Sequence, residues 1–170
     1  MTDMVRAMNP MGAINNAAEA KAAARASALG VVIGAINTAV AGWYSSTPEG
    51  QEAAGRVMEG LLGQSVDPAQ LEAQAQTGLY FTAALVVLQI VLAGVQWMKP
   101  NSVIPILFLV LVIWGLGTSI LGLFMPAFAA SQPMWLTVFN LGVLAIAAIL
   151  HIAGIRGANA MNKFRDAPAG

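Results

Sequence analysis

Four stretches of this chain, at 27–45, 78–98, 102–125 and 134–155, contain no Asp, Glu, Lys or Arg. Each is close to the ~20 apolar residues that a helix needs to cross a ~30 Å hydrocarbon core. Membrane strands alternate in polarity over about 10 residues, whereas these blocks are continuously apolar. Backbone groups in lipid must bond within the protein, so the blocks read as helices. The expected fold is an all-α integral membrane protein. It is a four-transmembrane-helix bundle with a short amphipathic helical segment in the first outer loop.

Composition agrees. Apolar residues make up 58% of the chain and charged residues only 9%, against about 25% charged in soluble domains. The expected organisation is a cytoplasmic N-terminal helical segment over 1–26, the bundle over 27–155 with an outer loop at 46–77, and a cytoplasmic tail at 156–170. Residues 10–26 are Ala-rich, and Asn9-Pro10 reads as the start of a helix running into span one. Thr47-Pro48-Glu49 carries a cap, a proline at the first helical position and an early acid, and starts the loop helix. Val57, Met58, Leu61 and Leu62 give that helix an apolar stripe. Asp67-Pro68 repeats the start signal and leads into span two. Lys99-Pro100-Asn101-Ser102 is a tight turn that predicts an antiparallel hairpin of spans two and three, with Asn101 or Ser102 as cap and Pro105 tolerated in the first turn. Pro126 and Pro133 bracket the last turn, and Trp43, Tyr44, Tyr80, Trp97 and Trp135 sit at span ends.

Charge sets the expected orientation. Arg6, Lys21, Arg25, Lys99, Arg156, Lys163 and Arg165 fall on one side, and of the eight basic residues only Arg56 falls on the other. The positive-inside rule places both termini in the cytoplasm of a plasma (inner) membrane, with Ala/Gly-rich, Lys-poor usage favouring a bacterial source. Lys21 and Arg25, an apolar stretch and Ala39-Val40-Ala41 also imitate a signal peptide. The long basic lead-in favours a retained span.

Each span has one small or polar face. Gly30, Gly34, Asn37 and Ala41 share a side of span one; Thr82, Gln89 and Gln96 a side of span two. Gly115, Thr118, Ser119 and Gly122 cluster on span three, and Asn140, Ala147, His151 and Gly154 align on span four. Small residues let membrane helices approach, and amides bond between them. Asn37, Gln89, Gln96, Thr118, Asn140, His151, Gly30 and Gly34 are therefore the expected buried polar or packing positions. Counting depth at about 1.5 Å per residue makes Asn37–Gln89, Gln96–His151 and Thr118–Asn140 candidate contacts, direct or through water.

Other functions lack their residues. There is no cysteine, which removes thiol catalysis and thiolate metal sites. The one histidine cannot form a bis-histidyl haem site, and no carboxylate lies in the spans to join it on a metal. Proton-coupled transport ordinarily uses an ionisable residue deep in the membrane, and His151 lies near a boundary. Zero formal net charge offers no footprint for nucleic acid. No enzyme activity and no cofactor are expected. The expected partners are the lipid bilayer and other membrane subunits or further copies of the chain. The leading expectation is an accessory or structural subunit of a membrane assembly. A small oligomeric transporter or channel for a neutral or weakly polar solute comes second, and a membrane enzyme third.

Overall fold

The computed structural model describes residue 6 and residues 9–63, 65–125 and 132–166. Five helices make up the described fold: α1 (Ala17–Ser46), α2 (Pro48–Leu62), α3 (Pro68–Met98), α4 (Val103–Phe124) and α5 (Met134–Asp166). All but α2 are long and apolar enough to span a membrane. The chain is thus an all-helical, membrane-embedded bundle.

Local chemistry sets the boundaries. The Asn16 side chain accepts from Glu19 N–H at 2.9 Å, and Glu19 reaches back to Asn15 N–H at 2.8 Å. This reciprocal capping fixes the start of α1. The expected start at Asn9-Pro10 is therefore corrected. Asn9 instead closes a turn, accepting from Met11 N–H through its side chain and from Gly12 N–H through its carbonyl. The start of α2 is as read: Thr47 Oγ1 accepts from Gly50 N–H at 3.2 Å, with Pro48 leading the helix. A Cβ on Gly50 would lie 2.1 Å from Tyr44 O, so only glycine lets α2 fold back on α1 here. Gly63 ends α2 in the left-handed region, at φ 69°.

Asp67 caps α3 by accepting from Ala69 N–H. For α4 the choice falls on Asn101, whose Oδ1 accepts from Val103 and Ile104 N–H; Ser102 makes no side-chain cap bond. Pro133 O accepts from Leu136 and Thr137 N–H at the start of α5, while Pro126 lies outside the described residues. Much of the expected tail is helix, because α5 continues unbroken through Asp166. No proline interrupts Arg156–Asp166.

The packing order differs from the chain order. α1 packs mainly against α5 and α3, and α4 packs mainly against α5. Although the 99–102 turn joins α3 to α4, the two scarcely touch, so the expected hairpin of spans two and three does not form as a packed unit. α1 comes between them. Val31 joins Ala93 of α3 to Ile104 and Phe108 of α4 in one cluster. A second cluster, Ala26, Leu150 and Ala153, knits α1 to α5.

The reason lies in residue size. Lipid tails are as apolar as leucine, so close packing and hydrogen bonds decide which helices meet. α1 and α5 present the small residues. A Cβ on Gly154 would lie 2.5 Å from Ser27 Cβ, and one on Gly157 would lie 2.1 Å from Ala24 N. The backbones are nearly in contact there. The outward faces of α3 and α4 carry Val87, Leu88, Val91, Val110, Leu111 and Trp114, all exposed in the isolated chain. That is where a bilayer can solvate them.

Candidate functional site

Most polar side chains within the spans gather on the two seams of α1. At the end of the bundle holding the 99–102 turn, Ser27 Oγ and His151 Nδ1 are hydrogen-bonded at 2.8 Å. Both residues are 0% exposed. Phe108 stacks on the imidazole, with centroids 5.7 Å apart and planes at 22°. A Cβ on Gly30 would lie 3.1 Å from His151 Cε1 and 3.2 Å from Nε2, so Gly30 makes room for the ring. The Nε2 atom is buried and has no partner among the described residues.

Gln96 closes the other seam at the same end. Its Nε2 donates to Ala24 O at 3.1 Å and to Asn101 O at 3.0 Å, and its Oε1 accepts from Asn101 N–H at 3.3 Å. One fully buried amide thus ties the end of α3, the turn and α1 together. Beside it, Arg25 Nε donates to Trp97 O at 3.0 Å, and the guanidinium lies 5.0 Å from the indole centroid. A cation here also answers the unpaired carbonyls at the C-terminus of α3.

Midway along the bundle, Asn37 Nδ2 donates to Asn140 Oδ1 at 2.7 Å, and Asn140 Nδ2 donates to Ser119 Oγ at 2.9 Å. This links α1, α5 and α4. On the α3 side, Gln89 Nε2 donates to Thr38 Oγ1 at 3.3 Å, and Thr38 donates to Gly34 O at 3.0 Å. Gln89 Oε1 is buried with no partner among the described residues.

Several expectations need correction. None of the pairs Asn37–Gln89, Gln96–His151 and Thr118–Asn140 is bonded; the partners are Asn140, the Ala24 carbonyl, Ser27 and Ser119 instead. Asn37 turns toward α5 while Thr38, one residue and about 100° further round, takes Gln89. Thr118 is exposed and donates only to Trp114 O and Gly115 O of its own helix; Ser119 occupies the seam. Gly34 has no atom within 4 Å of an added Cβ, so of the Gly30-x-x-x-Gly34 pair only Gly30 is a packing glycine. Gln96 and His151 are buried, and Asn37, Gln89 and Asn140 are half-buried.

Sequence reading missed Ser27, Gly157 and the part played by Arg156. Arg156 Nη2 donates to Gly12 O at 2.8 Å, and Nη1 donates to the Pro10 carbonyl. It clasps the N-terminal turn onto α5. The sequence carries the small-residue signal at Gly154 and Gly157, but Gly157 lies beyond the apolar block.

A hydroxyl bonded to an imidazole is half of a nucleophile–base arrangement. Here it is sealed from both faces by Gly30 and Phe108, and no carboxylate is bonded to the ring. Among the described residues no three His, Cys, Asp or Glu side chains converge as metal ligands. The Ser27–His151 bond ties α1 to α5. No protein family, curated protein or solved structure matches the chain.

Proposed function

We propose that this chain is a non-enzymatic integral membrane protein serving as an accessory or structural subunit of a larger membrane assembly. One observation carries the reading. The four amides within the spans, those of Asn37, Gln89, Gln96 and Asn140, are spent on neighbouring helices rather than lined up along a water path. A pore-forming chain needs a continuous wetted polar face. The broad apolar faces of α3 and α4 suit contact with lipid and with membrane subunits.

In this reading the membrane is a bacterial plasma (inner) membrane and both termini are cytoplasmic, as the sorting of basic residues favours. The 46–77 segment is the outer loop and α2 its amphipathic helix. Val57 and Met58 line a groove with Tyr44 and Leu136, while Glu49, Glu52, Arg56 and Glu59 face away and are exposed. That division suits a helix lying at the interface.

A transporter or channel for a neutral or weakly polar solute is the second reading. It is favoured by the separation of α3 from α4 and by the unpartnered Gln89 Oε1. Mild detergent extraction from the native membrane, with mass-spectrometric identification of stoichiometric companions, separates the two. A subunit co-migrates with other membrane proteins. A homo-oligomer alone, with solute flux in proteoliposomes, refutes the proposal.

A further inference from the structure

The α1–α3 seam continues outward into a groove of about 350 Å³ lined by Ala28, Leu29, Val32, Ile90, Gly94 and Trp97. Its lining is apolar, and its middle is open at Gly94, where an added Cβ would meet no atom within 4 Å. Leu29 and Val32 follow Arg25 at four and seven residues, so the groove runs below Arg25 for about 10 Å. Arg25 and Trp97 form its rim, joined by the 3.0 Å bond and the 5.0 Å cation–ring approach.

The rim is basic. Among the described residues Arg25 is hydrogen-bonded through Nε alone, and no carboxylate lies within ion-pair distance of Arg25, Lys21 or Lys99. Lys21 stands one helical turn before Arg25, and Lys99 follows Trp97 by two residues; both are exposed. An indole at the membrane–water boundary, a guanidinium fork beside it and a hydrocarbon groove beneath together describe a lipid with a phosphate at its neck. A guanidinium suits phosphate because its planar fork of donors matches the oxygens and is weakly hydrated.

We propose that this groove is a binding site for one anionic glycerophospholipid in the leaflet at the Arg25 end. Arg25 holds the phosphate, Lys21 and Lys99 select against a cationic headgroup, and an acyl chain lies over Gly94 between Leu29, Val32 and Ile90. A zwitterionic lipid brings an ammonium that meets three basic side chains with no carboxylate paired to them among the described residues. Each basic residue near the surface is worth about a fivefold preference for an anionic lipid.

Trp97 supplies the probe. The full chain is prepared with Trp43, Trp114 and Trp135 changed to Phe, and a sister chain retains only Trp114, which is 73% exposed and reports bulk lipid. Both are placed in phosphatidylcholine nanodiscs with rising fractions of acyl-brominated phosphatidylglycerol or acyl-brominated phosphatidylcholine. Half-quenching of Trp97 is expected at a mole fraction at least about fivefold lower for the glycerol lipid, with no such difference for Trp114. Lys21→Gln, which breaks no bond among the described residues, should shrink the preference, and Gly94→Leu, which fills the groove, should abolish it. Circular-dichroism melts verify that both variants fold. Equal quenching of Trp97 by the two lipids, or a preference that survives Gly94→Leu, overturns the site.

Discussion

Gly157→Ala should loosen the α1–α5 pair, and the structure gives the size of the effect. The new methyl would lie 2.1 Å from Ala24 N, 2.6 Å from Ala23 C and 2.7 Å from Ala20 O. All three are backbone atoms of one helix, so no side chain can swing aside. Ordinary carbon contacts lie near ~3.5–4.0 Å, so the helices must separate by more than an ångström along this stretch. Overpacking of this kind costs about 1–3 kcal/mol, and alanine returns up to about 1 kcal/mol of helix propensity. The net loss should be about 1–2 kcal/mol, roughly a tenfold shift in the unfolding equilibrium. Gly34→Ala is the internal control. It meets nothing within 4 Å, so propensity alone acts and stability holds or rises. Unfolding by SDS titration in mixed micelles, followed by circular dichroism, reads both. A Gly157→Ala chain as stable as the parent, or a Gly34→Ala chain equally weakened, would refute the reasoning.

A double-mutant cycle on Asn37→Ala and Asn140→Ala should give a coupling of about 0.6 kcal/mol and at most about 1.7, while Asn37→Ala with Gln89→Ala should be additive; the reverse result denies the observed pairing. Ser27→Ala leaves a second imidazole nitrogen buried without a partner and should destabilise by about 1–3 kcal/mol, measured by the same SDS titration, with an unchanged midpoint counting against the Ser27–His151 bond. Reporter fusions after Gly63 and after Gly170 should give opposite signals, and equal signals end the proposed topology. The mature protein should keep its first span, because α3 packs mainly against α1; an intact mass beginning at Gly42 would contradict this.

What could be read from the sequence was whatever depends on one helix at a time. The charge-free runs mark the spans because an unpaired charge is costly in hydrocarbon wherever the helix packs. Thr47-Pro48 and Asp67-Pro68 mark helix starts because a cap acts within three residues. Asn9-Pro10 misled because a proline start signal and the Asn16-Ala-Ala-Glu19 capping box compete within one segment, and the two-sided bond of the box decides it. The side-chain pairs were not legible, because they depend on which helices are neighbours. Asn37 and Thr38 differ by about 100° in direction, and only the position of α5 and α3 around α1 tells which amide each will meet. Register failed for a related reason. Ser27 is level with His151, whereas counting inward from residue 155 sets His151 four residues, about 6 Å, above residue 27. With that offset removed, Asn37 and Asn140 fall at one depth, as their bond requires.

The same arrangement accounts for an oddity in the hydropathy of the spans. α1 is the least apolar of the four long helices, at 1.5 against 2.1, 2.4 and 2.2 for α3, α4 and α5. Judged alone it is the weakest candidate to enter a bilayer. In the bundle it is the helix on which α3 and α5 both pack, and far more of it is buried than of α3 or α4. A helix covered on two sides can carry Ser27, Asn37 and Thr38, because each finds a partner on the helix that covers it. α4 keeps Leu, Val, Ile and Phe outward and satisfies exposed Thr118 against its own backbone. The amides of the spans therefore sit where a neighbouring helix supplies a partner, as Gln89 and Gln96 do on the side of α3 that meets α1. α5 shows that the relation is permissive: it is as buried as α1 yet more apolar, because its seam is built from Ala147, Ala153, Gly154 and Gly157, which need closeness rather than partners.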